Sequence, residues 1–523
     1  MIESLSTIDN LILILYIGIA LVIGLISAVG RDKTTQDYFL AGKDMGWILI
    51  GTSLFATNIS SEHFIGLAGA GSVHGLSVGL FEWLAVFILI ILAWFFIPVF
   101  IKADVMTMPE FLGKKFGDRV RAYLTAISLA AYFFTKIAVT LIAGGYLLGK
   151  ILGLDVFTSA VLIVLLTGLY TVIGGMASVM KTQFFQAIVL IVGSLLLTLY
   201  GLKDIGGLSV IIEKLPASYF EIIKSSSDPN FPWTGILFGA PILGIWYWCT
   251  DQYIVQRILS ARNIREARKG TFLAAFLKII PIFLLIIPGL VAAIKYPNIK
   301  GDAAFTYLVT GDLLPTGIKG IVIAGLIAAL MSSLASAFNS SAALISIDIF
   351  KPMRPRATES EIVLVGRLST IMIVVFAIIL IPLLKVIDSQ IYLFLQQIQA
   401  YISPPIASAF LFGIFWSKST SKGVFTALIF GGIVGFVRII ISMINPTLIG
   451  EFPLFHFLNG VHYLHFAVFL FLLTSFVLIV VSLNDKKIII SKSKSSEDVE
   501  LENEMKHRIG TKEIEKFEII EHK

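Results

Sequence analysis

The segment GTSLFATNISSEHFIG, residues 51–66, carries a cluster of polar side chains inside a stretch that is otherwise apolar enough to cross a membrane. The cluster consists of Asn58, Ser60, Ser61, Glu62 and His63. Backbone without helical hydrogen bonds is tolerated at membrane depth only where it lines a cavity or binds an ion. The segment therefore predicts a helix broken near the middle of the bilayer, with a binding site at the break, and this favours a transporter.

The composition of the chain is that of a membrane protein. Of its 523 residues, 57% are hydrophobic and 14% are charged, and the mean hydropathy is +0.91. This composition predicts an all-α polytopic membrane protein. The net charge of +6 reflects where Lys and Arg fall relative to the bilayer and does not indicate nucleic-acid binding. Cys249 is the one cysteine, which excludes an internal disulfide. No nucleophile–base pair or metal-ligand cluster points to an enzyme.

Apolar runs predict about thirteen transmembrane helices, and the first is interpreted as a retained span rather than a signal peptide. Lys and Arg concentrate in alternate loops, which predicts an N-terminus outside and a C-terminus in the cytoplasm. The outer loops contain no Asn-x-Ser/Thr acceptor, consistent with a bacterial inner membrane. The predicted spans are approximately 8–29, 47–73, 77–103, 120–150, 155–176, 183–203, 233–256, 267–295, 317–345, 361–386, 388–417, 421–444 and 460–482.

Setting the first helix aside, spans two to six and seven to eleven form two blocks of five with opposite orientation. Each block opens on an interrupted helix, because the helix at 233–256 contains Gly239, Pro241 and Gly244 before WYWCTDQ. This pattern is typical of inverted-repeat transporters. The predicted division is 1–46, an N-terminal helix and linker; 47–203, the first repeat; 204–232, an outer loop; 233–417, the second repeat; 418–483, two further helices; and 484–523, a charged cytoplasmic tail.

Ionisable side chains at membrane depth each cost about 2.5–3.5 kcal/mol on insertion scales, so they are candidate functional residues. Glu82 and Lys278 are interpreted as cavity-facing, and His63 gains weight from its place in the broken segment. Lys136 lies near the inner end of its predicted helix, where snorkelling or a structural ion pair is expected.

One face of the helix around residues 329–341 is small and rich in oxygen, because Ser332, Ser336 and Ser340 recur every four residues. Such a face serves either close helix packing or a cage for sodium, and the spacing does not decide between them. Aromatic residues serve either as interfacial belts or as cavity lining. They are Phe81, Trp83, Trp246, Tyr247, Trp248 and Tyr392. The residue types suit a sugar, an inositol or a small zwitterion.

Several motifs resemble the sodium/glucose cotransporters of the sodium/solute symporter family, which have a LeuT-type five-plus-five fold. The resemblance runs from the first helix to about Leu483. It implies import of a glucose- or galactose-like monosaccharide with sodium by alternating access, in a lipid bilayer and with no obligate protein partner. The motifs are DYFLAGKDMGW, GTSLFATNISSEHFIGLAGAG, FEW, FIKADVMTMPEFLGKKFG, YTVIGGMASV, WYWCTDQYIVQRILSARN, AALMSSLASAFNSSAALISIDIF and SPPIASAFLFGIFW.

The resemblance also implies a set of site residues. The sodium ligands fall on the carbonyls of Ala56, Ile59 and Ala329 and on the hydroxyls of Ser332 and Ser333. The sugar contacts fall on Asn58, His63, Glu82, Tyr247, Trp248, Lys278 and Gln396. Tyr247 resembles an inner gate, and Leu67, Phe81 and Tyr392 resemble an outer lid.

Three departures from the family pattern affect these expectations. Gln183 stands where many members have an acidic residue, and Ala335 stands where members that take two sodium ions have a hydroxyl. We therefore expect one sodium per substrate. Gly244 stands where bacterial sugar transporters of the family have Asn, which leaves the sugar open. The alternatives are a polyol such as inositol, sialic acid, an amino acid, or a sugar sensor that does not transport.

Overall fold

A computed structural model describes residues 5–29, 34–383, 391–443 and 460–485. Within these ranges the chain is helical, and its β structure is limited to two isolated bridges. Nearly all of the predicted charged tail, 484–523, lies outside the described residues.

The helices of the described residues follow one another with short connections. The α-helices are Thr7–Ala28, Thr35–Leu40, Trp47–Asn58, Ala68–His74, Gly79–Ile91, Ile97–Ala103, Met108–Phe116, Asp118–Ala131, Ala138–Leu152, Val156–Ile205, Leu208–Lys214, Trp233–Phe238, Ala240–Gly244, Gln252–Leu259, Ile264–Leu277, Ile287–Lys295, Ala303–Thr310, Ile318–Ala343, Lys351–Met353, Glu359–Leu380, Ile391–Phe415, Ser421–Met443 and Tyr463–Leu483. The π-helical segments are Glu62–Leu67, Leu92–Phe96, Tyr132–Ile137, Ile245–Thr250, Ile282–Ile286 and Leu344–Phe350. Single 3-10 turns are Ala41–Lys43, Gly75–Val78, Ala217–Tyr219 and Ile381–Leu383.

Ten helices of the described residues are long and apolar enough to cross a membrane. One of them, Val156–Ile205, covers two predicted spans because it turns at Gly175, where φ is 50° and ψ is −144°. A helix that is broken within the membrane also escapes this count, because each of its separate pieces is too short to cross the membrane. The predicted count of about thirteen therefore stays a prediction.

The break predicted from residues 51–66 is present. The helix Trp47–Asn58 ends in the extended backbone of Ile59, at φ −76° and ψ 103°. The chain then restarts at Ser60, whose carbonyl accepts hydrogen bonds from the amides of His63 and Phe64 at 3.0 and 3.2 Å. We refer to Trp47–Asn58 together with Glu62–His74 as the first broken helix.

The second broken helix, Trp233–Leu259, is interrupted at Asp251 rather than at the glycines that suggested a break. Asp251 has extended backbone, at φ −76° and ψ 125°, and its carboxylate accepts from the amide of Tyr253 at 3.1 Å. Gly239 and Gly244 retain helical dihedral angles. These glycines permit close packing, since a methyl group at Gly239 would lie 2.3 Å from the Leu464 carbonyl oxygen.

The two breaks lie side by side at the centre of the molecule. The Tyr253 hydroxyl, just after the second break, donates to the carbonyl of Thr57, just before the first break, at 2.9 Å. The helix Ile318–Ala343 is buried along almost its whole length beside them. Its small residues admit the long helix closely, because Gly325 lies against the Gly193 backbone. The fold thus brings two unwound segments and an oxygen-rich helix together.

Candidate binding site at the helix breaks

A central cavity lies between the two broken helices. All seven predicted sugar contacts line it, together with Phe81 and Tyr392 of the predicted lid. Leu67 of that lid is buried but does not line the cavity. The lining residues are Asn58, Glu62, His63, Phe81, Glu82, Leu84, Ala85, Ala240, Leu243, Gly244, Tyr247, Trp248, Lys278, Tyr392, Leu395, Gln396 and Gln399.

The centre of the polar lining is a buried ion pair. The ammonium of Lys278 contacts the carboxylate of Glu82, and their side chains are 1% and 4% exposed. The same ammonium donates to the Asn58 side-chain oxygen at 2.6 Å. Glu82 and Lys278 were expected to face a cavity, and the structure shows that they line it and also pair with each other. Pairing allows these two charged groups to remain buried among largely apolar helices.

Asn58 links this pair to the second broken helix. Its amide nitrogen donates to the Tyr247 hydroxyl at 3.1 Å, while its oxygen accepts from Lys278. Asn58 is the last helical residue before the first break. The end of the first helix piece is therefore hydrogen-bonded to both Tyr247 and Lys278.

His63 stands between two carboxylates. Its Nε2 lies 3.6 Å from an oxygen of Glu82, and its Nδ1 lies 3.6 Å from an oxygen of Glu62. Because Nδ1 accepts a hydrogen bond from the Ser60 amide at 3.4 Å, the proton of the neutral ring is assigned to Nε2, facing Glu82. Glu62 was not selected as a site residue, although its place in the polar cluster was the signal that could have identified it.

Glutamines on one helix face extend the polar lining. Gln396 and Gln399, three positions apart, line the central cavity, whereas Gln397 lines a separate cavity on the other side of the helix. Gln399 was missed, because only one glutamine of LFLQQIQAY was chosen. Gln396 donates to the Tyr392 hydroxyl at 3.2 Å.

Aromatic rings close the cavity on one side. Tyr392 meets Phe81 and His63 edge-on, with ring centroids 6.2 and 6.0 Å apart. Tyr247 and Trp248 also line the cavity, with their ring centroids 5.1 Å apart. Trp83 and Trp246 of the predicted aromatic group do not line the cavity.

The predicted sodium ligands converge beside the first break. The Ser332 hydroxyl donates to the carbonyls of Ala56 at 2.7 Å and Ala329 at 2.9 Å. The Ser333 hydroxyl donates to the carbonyl of Thr57 at 3.3 Å. Ile59, the remaining predicted ligand, is the extended residue of the break. Carbonyl and hydroxyl oxygens are a donor set that suits a hard cation, so these residues fit sodium.

Gln183 occupies the space next to this oxygen cage. Its amide nitrogen lies within hydrogen-bond distance of the Thr57 hydroxyl at 3.0 Å, the Ser332 carbonyl at 2.9 Å and the Ser336 hydroxyl at 2.7 Å. Its amide oxygen accepts from Ser53 at 2.5 Å. The neutral amide thus joins the first broken helix to Ile318–Ala343 with no charged group.

Lys136 was expected either to snorkel to an interface or to form a structural ion pair, and the structure excludes snorkelling. Its side chain is buried beneath the cavity, with the ammonium 4.4 Å from the ring centroid of Tyr247 and 5.2 Å from that of Tyr253. The π-helical segment Tyr132–Ile137 carries it there. Ring faces attract cations, so Lys136 stabilises the closed position of these two rings.

Two discontinuous helices around a central cavity, beside a cage of uncharged oxygens, define a membrane transporter that uses an ion. The family model for the sodium:solute symporter family matches residues 38–431. The chain belongs to this family. It is therefore a multi-pass membrane symporter with sodium as its coupling ion, and it is not an enzyme.

Curated relatives cover most of the chain. Sodium/myo-inositol cotransporter 2 of Oryctolagus cuniculus is 38% identical over 521 residues, covering 92% of this chain and 77% of that protein. Sodium/glucose cotransporter 1 of the same species is 36% identical over 534 residues, covering 92% and 79%. Sodium/glucose cotransporter 4 of Danio rerio is 38% identical over 520 residues, with the same two coverages.

A solved structure shares the fold. The substrate-bound, outward-open state of a Na⁺-coupled sialic acid symporter superimposes with a TM-score of 0.76, covering 91% of this chain and 98% of that one, at 23% sequence identity. The predicted five-plus-five architecture is therefore confirmed.

Proposed function

We propose that this protein imports a monosaccharide of the glucose or galactose type together with sodium, by alternating access. The observation that carries the proposal is the buried set of Glu82, Lys278 and Asn58 in the central cavity. A sugar hydroxyl both donates and accepts hydrogen bonds, and this set offers both functions within one small volume. The relatives named as sodium/glucose cotransporters support this substrate class.

The ion pair can stay intact when a sugar binds. Lys278 uses two of its three ammonium hydrogens on Glu82 and Asn58, which leaves one for a hydroxyl. Glu82 directs its other oxygen toward His63, at 3.6 Å, where a second hydroxyl can be held. The ring face of Trp248 would pack against the CH face of the sugar.

Myo-inositol is the second candidate. It presents a ring of hydroxyls to the same donors and acceptors, and the relatives include sodium/myo-inositol cotransporters at 37–38% identity. Gly244 lines the cavity without a side chain. The absence of a side chain at Gly244 leaves room at one edge of the substrate. Comparing the uptake of sugars and inositols with different ring substituents would show which substituent lies next to Gly244.

Coupling follows from the first break, where the two ligands would meet on one turn. Sodium would bind the carbonyls of Ala56, Ile59 and Ala329 and the hydroxyls of Ser332 and Ser333. It would replace the hydrogen bond from Ser332 to Ala56 and so tether the first broken helix to Ile318–Ala343. Asn58 on the same turn would then be oriented toward the sugar.

Gates on both sides of the cavity complete the cycle. Tyr247 would close the inner side, held by Asn58 at 3.1 Å and by the Lys136 ammonium over its ring. Phe81 and Tyr392 would close the outer side over the sugar. Leu67, which is buried behind them, would pack against the closed lid rather than contact the sugar.

We infer a stoichiometry of one sodium per sugar. The amide nitrogen of Gln183 donates where a carboxylate would have accepted a cation, and Ala335 removes a hydroxyl ligand. One charge that crosses 100 mV contributes about 2.3 kcal/mol, which is about a fiftyfold concentration ratio before the sodium gradient is added.

The orientation and the division into repeats are part of the same proposal. We assign the N-terminus to the outside and the C-terminus to the cytoplasm of a bacterial inner membrane, with repeats at 47–203 and 233–417. Loops assigned to the cytoplasm meet on one face, which supports this topology. Met45 and Ser260 share a backbone hydrogen bond at 3.0 Å, and Lys43 contacts Asp104.

Uptake into proteoliposomes under an imposed sodium gradient tests the function. The panel contains glucose, galactose, myo-inositol, sialic acid and an amino acid, each with potassium replacing sodium as the control. We expect sodium-dependent accumulation of one of the first three. Binding without accumulation would favour a sensor, and accumulation of sialic acid or the amino acid alone would overturn the substrate class. A charge-to-substrate ratio of two would overturn the stoichiometry.

A further inference from the structure

Asp302 ties the start of a cavity-lining helix to a distant loop. It lies just before the short helix Ala303–Thr310, and its carboxylate accepts a hydrogen bond from the Ile391 amide at 2.8 Å. Ile391 is the first described residue of the helix Ile391–Phe415. Asp302 thus provides the acceptor for the Ile391 amide from a position 89 residues earlier in the chain.

The first broken helix packs closely against Asp302 and against the neighbouring residue Tyr392. A methyl group added at Gly69 would lie 2.7 Å from both the amide nitrogen and a carboxylate oxygen of Asp302. A methyl group added at Gly66 would lie 2.8 Å from Cβ of Tyr392. Gly66 lies in the π-helical segment Glu62–Leu67 and Gly69 in the α-helix that follows, and the groups they approach are joined by the bond from Ile391 to Asp302. The segment Glu62–His74 therefore receives both the Asp302 loop and the start of Ile391–Phe415.

A ring contact fixes the loop helix to the same half of the broken helix. Phe305 meets Phe64 edge-on, with ring centroids 5.8 Å apart. Phe305 and Asp302 thus both pack against the segment Glu62–His74.

The helix that Asp302 holds carries functional side chains in its first two turns. Tyr392 closes the cavity against Phe81, and Gln396 lines the cavity one turn further on. Asp302 itself does not line the cavity. It can act on the substrate only through the position of these two side chains.

We propose that Asp302 is a positioning residue that latches the outer lid, with its carboxylate holding Ile391 and hence Tyr392 against the segment Glu62–His74. Opening of the lid breaks the bond from Ile391 to Asp302. This inference rests on the proposed alternating-access function, because a latch acts only on a lid that opens.

Thiol labelling measures the lid directly. The reporter is Ala85→Cys, which lines the cavity, in a Cys249→Ala background that removes the buried native cysteine. A charged, membrane-impermeant thiol reagent is applied from the outer face of proteoliposomes in sodium-containing buffer. We expect Asp302→Ala to label about tenfold faster or more, the factor that loss of one charge-assisted hydrogen bond allows.

Three further variants separate a latch from a general loss of structure. Asp302→Asn keeps an oxygen acceptor without the charge, so its labelling rate should lie between that of the parent protein and that of Asp302→Ala. Gly69→Ala should speed labelling as Asp302→Ala does, because its methyl group displaces the carboxylate. Asp312→Ala removes an exposed carboxylate from the same loop and should leave the rate unchanged. Each variant must melt cooperatively to be compared.

A folded Asp302→Ala variant that labels at the parent rate would overturn the latch, and so would acceleration from the inner face alone. Sodium-driven uptake is measured separately on the unsubstituted chain. If uptake fails while labelling still responds to Asp302, the outer lid opens and Asp302 controls it, but the proposed sodium-driven sugar import is wrong. If uptake succeeds and labelling ignores Asp302, only the latch is wrong.

Discussion

The Lys278 ammonium lies 2.6 Å from the side-chain oxygen of Asn58, although 220 positions separate the two residues in the chain. This contact joins the first break to the buried pair with Glu82. The ammonium thus has a carboxylate and an amide oxygen as partners in a site from which bulk water is largely excluded. Removal of any one of the three leaves a polar group buried without its partner.

Lys278→Met should therefore destabilise the protein and abolish sugar binding. It leaves the Glu82 carboxylate buried without a counter-charge, which costs about 3–5 kcal/mol. Thermal melting in detergent and equilibrium binding of the transported sugar measure the two effects. The double variant Lys278→Met, Glu82→Gln should recover stability but not binding. If Lys278→Met alone kept both the stability and the sugar binding of the parent, the pair of Lys278 and Glu82 would not be part of the sugar site.

Ser333→Ala should abolish sodium-dependent uptake, because it removes one hydroxyl of the oxygen cage beside Thr57. Ser340→Ala is the matched control. It removes a hydroxyl from the same helix, but one that bonds Gln256 at 2.8 Å, outside the cage. Uptake is measured across a range of sodium concentrations. Unchanged uptake by Ser333→Ala at low sodium would count decisively against the cage.

Tyr253→Phe should weaken sodium dependence without a direct effect on sugar contacts. Its hydroxyl donates to the carbonyl of Thr57, which is bonded in sequence to the cage residue Ala56, at 2.9 Å, and lies 3.3 Å from the carbonyl of Ser333, which belongs to the cage. Loss of these bonds frees the first break, so the sodium concentration for half-maximal uptake should rise about threefold to tenfold. Sugar affinity at saturating sodium should stay near that of the parent. An equal loss at all sodium concentrations would instead indicate a damaged sugar site.

The position of the first break was predictable from sequence, and the position of the second was not. At Asn58–His63 the polarity of the side chains themselves marks unwound backbone. In the second broken helix, Gly239 and Gly244 suggested a break, but they serve close packing against Leu464 and Ile88. A glycine in a membrane helix does not distinguish the two cases, because glycine is found both where helices pack closely and where a helix is interrupted.

The residues of the candidate site were largely predictable from sequence, but their pairings were not. The motifs indicated Glu82, Lys278 and Asn58 separately. Their contacts depend on how three helices pack, and sequence spacing carries no information on that. Glu62 was passed over although it stands in the same polar cluster as His63, and the structure shows that the carboxylates of Glu62 and Glu82 flank the His63 ring.

Gly175→Ala should destabilise the fold more than a glycine substitution ordinarily does. Gly175 has φ 50°, and a methyl group there would lie 2.4 Å from the Tyr38 carbonyl oxygen. Strained backbone alone costs about 1–3 kcal/mol, and the collision adds to this. Gly153→Ala is the control, since Gly153 has φ 68° but no atom within 4 Å of the added methyl. Melting temperatures should fall further for Gly175→Ala, and equal losses would show that the Tyr38 contact is unimportant.

Gln183→Glu should create a requirement for a second cation. The wild-type amide nitrogen faces three oxygens, from Thr57, Ser332 and Ser336. A carboxylate oxygen in that position would lie against the Ser332 carbonyl oxygen, to which it has no hydrogen to donate, and its charge would be buried without a cationic partner. Sodium placed between them would relieve both penalties. The melting temperature of the variant should therefore rise with sodium more steeply than that of the parent, and the charge-to-substrate ratio should move from one toward two. Gln183→Met, which adds no charge, should show neither change. A Gln183→Glu variant whose melting ignores sodium would mean that the space around residue 183 cannot hold a cation.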